Sequence, residues 1–176
     1  MNTVLRLCLL PVIALWAMSV GLFMPYRGRS LADWEEAIAR RVGVKNPARI
    51  RLVMVSELPF PNLSWIHRLA VQHGMSRSGA IGLTLGYGIF IREGAYSVRL
   101  LSHECRHVQQ YEAAGSVWRF LDRYISEVLV HGYQNAPLEK EARAYEIANV
   151  LKGGRIALPE ESSNEKSVEP QECEDA

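Results

Sequence analysis

Residues 96–115 read YSVRLLSHECRHVQQYEAAG, and the middle of that stretch, His103-Glu104-Cys105-Arg106-His107, decides how the rest of the chain is read. The stretch contains no proline and closes on Gly115, so it is compatible with one helix from Tyr96 to Ala114. On a helix, residues four apart face the same way. His103 and His107 therefore converge on one point, with Glu104 beside that face. Two imidazoles so placed are a metal-ligand pair, and the neighbouring carboxylate suits a general base better than a ligand. Zinc brings the pKa of a bound water toward neutrality, and such a carboxylate takes the proton as the water attacks a carbonyl. The plain competitor is a buried histidine pair that only satisfies core hydrogen bonds.

A catalytic zinc needs a third protein ligand. Cys105 is turned away from the His103–His107 face by one helical step and reads as a small apolar core residue. A later carboxylate is the usual solution, and the stretch from Pro137 to Glu146 offers Glu139, Glu141 and Glu146. Glu146 reads most simply as a solvated helical residue. Glu139 and Glu141 lie about 200° apart on a helix, so only one of them can face the metal.

Working outward, the segment Leu31 to Val42 has helical periodicity, with Ser30 as its cap and Gly43 as its stop. Arg49 to Ser56 alternates and is rich in β-branched residues, as a strand is. Leu63 to His73 reads as a short helix. Two short strands follow, near Ala80 to Leu85 and Tyr87 to Arg92. Val117 to His131 is a second long helix, with Phe120, Leu121, Tyr124 and Val128 on its apolar stripe. Leu138 to Lys152 is expected to be the last helix, ended by Gly153-Gly154. The fold class is therefore α+β: a small β-sheet packed on a mainly helical unit that carries the HExxH helix, preceded by an N-terminal transmembrane helix.

That last element rests on Leu7 to Met24, LCLLPVIALWAMSVGLFM, which holds no charge in 18 residues. As a helix it would span about 27 Å, close to the thickness of a bilayer core. The competing readings are a cleavable signal peptide, with Ala17-Met18-Ser19 as a small-x-small site, and a buried core helix. Arg6 lies before the run and Arg27, Arg29, Arg40 and Arg41 after it. Counted literally, they favour a cytoplasmic body, although exported domains also begin this way. A single-pass membrane anchor is the expectation, with its side undetermined and export after cleavage as the alternative.

The chain has 176 residues, room for one domain of ordinary size. The boundaries expected are 1–26 for the anchor or signal peptide, 27–158 for the domain and 159–176 for a disordered acidic tail. A mean hydropathy of −0.05 excludes a polytopic membrane protein. The formal charge of +1 hides an asymmetry. Seven acidic residues and one lysine leave the tail at −6 and the body at +7. The arginines of the body are scattered, which gives no reason to expect nucleic acid. Cys8, Cys105 and Cys173 form neither a disulfide framework nor a zinc-finger spacing.

HExxH on one helix with a glutamate on a following helix resembles the gluzincin, thermolysin-like type of zinc metallopeptidase. Glu139-Lys140-Glu141-Ala142-Arg143 looks like that family's Glu-x-x-Ala-Asp stretch with Arg in place of Asp. The run on to Gln110 resembles small, mostly uncharacterised bacterial members whose motif reads HExxHxxQ. The resemblance covers roughly Ala80 to Leu151. It implies Glu139 as the third ligand, with Glu141 as the alternative, and an edge strand that binds peptide by strand addition, for which Tyr87 to Arg92 is the candidate. It also implies a carboxylate that orients a ligand histidine, a role Arg143 cannot fill and for which Glu112, Asp122 and Glu141 are the substitutes. His131, Tyr133, Tyr111 and Tyr145 are candidates to stabilise the oxyanion.

The expected function is a membrane-anchored, zinc-dependent metallopeptidase. Zn²⁺ would sit on His103, His107 and Glu139, with Glu104 as general base and a peptide or protein as substrate. The rival is a catalytically inactive, membrane-tethered metal-binding or interaction module. Oligomeric state has no sequence signature here.

Overall fold

The computed structural model describes residues 3–23, 27–74, 79–148, 151–152 and 155–156. The expected tail, 159–176, lies outside them. The order of elements is α1 (Thr3–Phe23), β1 (Arg29–Ser30), α2 (Asp33–Arg41), β2 (Arg51–Val55), α3 (Ser64–Gln72), β3 (Gly82–Leu85), β4 (Gly88–Arg92), α4 (Val98–Ala114), α5 (Val117–His131), α6 (Pro137–Ala144), β5 (Leu151–Lys152) and β6 (Arg155–Ile156). The molecule is α+β, with a small mixed four-stranded sheet in the order β1-β2-β4-β3. β2 and β4 run parallel, while β1 with β2 and β3 with β4 are antiparallel.

β2 and β3 pair both edges of β4, helices cover both its faces, and Ile89, Phe90 and Ile91 are fully buried. Alternation along the strands divides the core. Val53 and Phe90 point to a cluster built with α1, α3 and α5. Leu52, Ile89 and Ile91 point the other way, to α2 and α4, where Cys105 sits as the apolar core residue the sequence suggested. The outer strands are β1 and β3, so Tyr87 to Arg92, expected as the substrate-binding edge, is corrected: β4 has no free edge.

α4 begins at Ser97, whose hydroxyl accepts from Leu100 N, and stops at Gly115, where φ of 73° is the left-handed region that glycine enters without strain. Ser116 caps α5 at once, so the two long helices meet at a tight corner. α2 starts two residues later than Ser30: the Glu35 carboxylate reaches back to Ala32 N (2.7 Å) and sets the start there.

Two expectations change. The last helix stops at Ala144, well before Lys152, because tertiary contacts take over. Ile147 N donates to Ser102 Oγ (2.9 Å) and the Ile147 side chain enters the core beside α2 and α4. The transmembrane reading of Leu7 to Met24 is not reproduced either. Among the described residues no helix is long and apolar enough to cross a membrane. α1 instead docks on α5 and β3, burying Leu9, Ala14 and Ala17 in the cluster around Phe90.

Candidate metal centre

α4 brings three of the expected residues to one place and α6 brings the fourth. His103, His107 and Glu139 are buried, and one donor atom from each lies within 4.8 Å of the others. The ring nitrogens His103 Nε2 and His107 Nε2 are 3.2 Å apart. Glu139 Oε2 is 3.5 Å from the first and Glu139 Oε1 3.3 Å from the second.

The partners of these groups fix what they can bind. His107 Nδ1 lies 2.8 Å from Gln110 Oε1. Gln110 Nε2 donates to Leu138 O and to a Glu141 oxygen, so the amide can only present its oxygen to the ring. His107 therefore carries its proton on Nδ1. His103 Nδ1 faces Glu146 Oε1 at 3.1 Å, which places that proton on Nδ1 too. When both rings are neutral, their Nε2 lone pairs point at each other and at a carboxylate. Tyr124 donates to Glu139 Oε1 (2.7 Å), whereas Glu139 Oε2 is buried without a hydrogen bond. Three converging lone-pair donors with one orphaned oxygen suit a cation, and this group can hold a metal ion.

Charge follows the same pattern. Burial opposes a charged His107, but the Glu139 carboxylate outweighs it and its pKa is raised. Burial also works against a charged Glu139, and the two histidines with Tyr124 overcome it, so that carboxyl is held far below its usual range. Glu104 is the opposite case: burial pushes its pKa up despite both histidines. Thr84 of β3 donates to Glu104 Oε2 (2.7 Å). The carboxylate lies so close over Gly82 that a Cβ there would run into it. Thus α4 supplies Glu104 and β3 aims it.

Not all candidates come together. Glu141 pairs with Arg106 and Gln110, so of the two glutamates only Glu139 joins the histidines in the group that can hold a metal ion. Glu112 accepts from Lys45 N, Asn46 N and the Tyr87 hydroxyl, pinning the loop after α2. The carboxylate that lies against a histidine is instead Glu146, beside His103 Nδ1, and Arg99 also holds it. It reaches His103 only because α6 ends early. Arg143 lies 3.5 Å from Glu139 Oε2 and donates to Gln134 O. Of the oxyanion candidates, Tyr111 and Tyr133 line the cavity beside the centre, whereas Tyr145 lies under the Arg106 guanidinium.

Tyr124, Thr84 and Gly82 were missed. Tyr124 reads as part of the apolar stripe of α5, and no local signal separates Thr84 or Gly82 from ordinary strand residues. Gln110 was visible in the HExxHxxQ spacing, though only the fold shows its task.

The centre opens onto a cavity of about 540 Å³ walled by α1, α3, α5 and β3. No known protein family, curated protein or solved structure matches this chain.

Proposed function

We propose that the chain is a zinc-dependent hydrolase of peptide-type amide bonds, with His103, His107 and Glu139 as ligands and Glu104 as general base. The observation that carries this reading is the convergence of three buried lone-pair donors next to a second buried carboxylate, Glu104, that is not one of them. The set of two nitrogens and one carboxylate leaves a tetrahedral ion one open position, as catalytic zinc sites do. When bound, the ion supplies Lewis-acid chemistry, making water acidic near neutral pH and polarising a carbonyl.

The chain's own groups do the rest. Glu104, raised in pKa by burial, takes the proton from the attacking water and returns it to the departing nitrogen. Thr84 holds one of its oxygens and Gly82 leaves room for the other. Gln110 and Glu146 keep both imidazoles turned with Nε2 inward. Tyr133, in the cavity wall near Glu139, is the hydroxyl best placed to meet a developing oxyanion. Arg143 in place of Asp, which by itself favours an inactive module, loses weight because a carboxylate, that of Glu146, lies against His103 Nδ1 instead.

Membrane association belongs to the same proposal. While α1 docks through Leu9, Ala14 and Ala17, it leaves Leu15 and Met18 exposed on its outer side, a face suited to lipid. Flotation of the chain with vesicles, lost in a Leu15→Glu/Met18→Glu variant, checks it.

The deciding test of the centre is metal content. The full chain should hold one zinc per molecule and His103→Ala none. Glu104→Gln should keep the zinc and lose about 10²–10⁴-fold in peptide hydrolysis. A wild-type chain that retains no zinc when loaded overturns the proposal. Unchanged hydrolysis in Glu104→Gln removes the general-base role.

A further inference from the structure

We propose that the cavity beside the metal centre seats a long hydrocarbon chain, so that the amide cleaved is one with a fatty acyl part, as in an N-acylated peptide or amine. The cleavage rests on the function proposed above, whereas the seat can be tested without metal. At about 540 Å³ the cavity falls within the span, roughly 300–1,000 Å³, of pockets that enclose a small ligand. Protein interiors do not leave voids of that size among apolar side chains that could interdigitate.

The lining identifies the occupant. The three helices contribute Leu9, Ile13, Ile66, Leu69, Phe120 and Ile125 among others. Of the residues they give to the wall, only Trp16 and Tyr124 carry a polar group, and the Tyr124 hydroxyl is taken by Glu139. A peptide backbone lying between these helices would strand its N–H and C=O groups away from water and partners, which is costly. A hydrocarbon has no such groups, and each methylene it buries raises affinity about fourfold.

The polar end of the same cavity is the metal centre, with His103, Glu104, His107 and Glu139 in its wall. An acyl chain laid along α5 therefore delivers its carbonyl carbon to the reacting groups. In the reaction the oxygen of water joins that carbon and the C–N bond breaks. The proton taken by Glu104 passes to the leaving nitrogen, giving a fatty acid and an amine. No oxidant, reductant or further reactant is needed.

The seat is read by photolabelling the full chain, with no metal added, using a diazirine derivative of dodecanoic acid and mapping the labelled peptides by mass spectrometry. Label should fall in α1, α3 or α5. Excess dodecanoic acid should suppress it, and butyric acid at the same concentration should not. Ala70→Phe, which fills the cavity from α3, should cut labelling about tenfold or more and leave zinc content unchanged. If that variant fails to fold, Ile13→Trp fills the space from α1. Equal suppression by both acids, or label confined to the outer side of α1, overturns the seat. Cavity labelling in a chain that never retains zinc supports the seat and overturns the hydrolase reading instead. In the loaded protein, hydrolysis of an N-dodecanoyl peptide should exceed that of its N-acetyl counterpart; parity overturns the substrate class.

Discussion

The two most deeply buried carboxylates among the described residues are Glu35, at 0% exposure, and Glu139, at 1%, and their surroundings differ in kind. Glu35 sits at the start of α2 among donors. Arg29 reaches both its oxygens at 2.6 Å, Ala32 N donates at 2.7 Å, and the Tyr96 hydroxyl completes the set. Glu139 sits among α4, α5 and α6 with one hydrogen bond, from Tyr124, the Arg143 guanidinium 3.5 Å from its other oxygen, and two imidazole nitrogens within 3.5 Å. A buried charge by itself says little about function. Counting the hydrogen bonds around it separates an anchor that is already complete from a site with an oxygen left over for a cation.

The comparison can be broken most directly by exchanging the carboxylates for amides. Glu139→Gln should weaken zinc binding by more than about 100-fold, beyond what outer partners cost, while thermal stability of the metal-free chain holds or rises. Titration with a zinc chelator and a melting curve read the two effects, and loss of stability without loss of zinc would make Glu139 an anchor like Glu35. Next in size, Gln110→Ala and Glu146→Gln should each reduce zinc affinity about 10–100-fold, with hydrolysis recovering when zinc is raised.

The pH dependence of zinc binding is a smaller effect. His107 must lose a proton to bind metal, and its pKa in the metal-free fold is raised above 6.5. Zinc affinity should therefore climb up to about tenfold per pH unit below that raised value and level off only above it. A plateau already reached below 6.5 would contradict the raised value.

The smallest effect belongs to the anchor. Glu35→Ala should leave zinc binding untouched and cost about 1–3 kcal/mol, a fall in Tm of several degrees, because Arg29 is half exposed and can turn to water. Burial raises the Glu35 pKa, but Arg29 and Tyr96 outweigh it and the net value lies below 4.5. The anchor's contribution is thus full above 4.5 and fades as pH falls through the lower folded value, a loss the Glu35→Ala variant should not show.

Much of the local structure was legible in the sequence because it depends on neighbours in the chain. α5 runs from Val117 to His131 as its periodicity predicts, and α4 ends at Gly115 as its closing glycine predicts. The i, i+4 spacing alone brings His103 and His107 together. What failed were the places where distant groups compete with local preference. The last helix has good helical periodicity past Ala144, yet Ser102 and the core beside α4 draw Ile147 away, and Glu146 becomes a partner of His103 rather than a solvated residue. The apolar N-terminal run has the composition of a membrane helix, yet α5 offers it a docking face.

The sequence by itself determined the two histidines, the carboxylate beside them, the alternation of β2 and the glycine that closes α4, since each is a matter of spacing within a few residues. Only the tertiary structure brought Glu139 rather than Glu141 beside the histidines, placed Thr84 and Gly82 under Glu104, and put β3 rather than β4 at an edge of the sheet. Those choices rest on which elements pack together, and packing joins residues that local periodicity cannot relate.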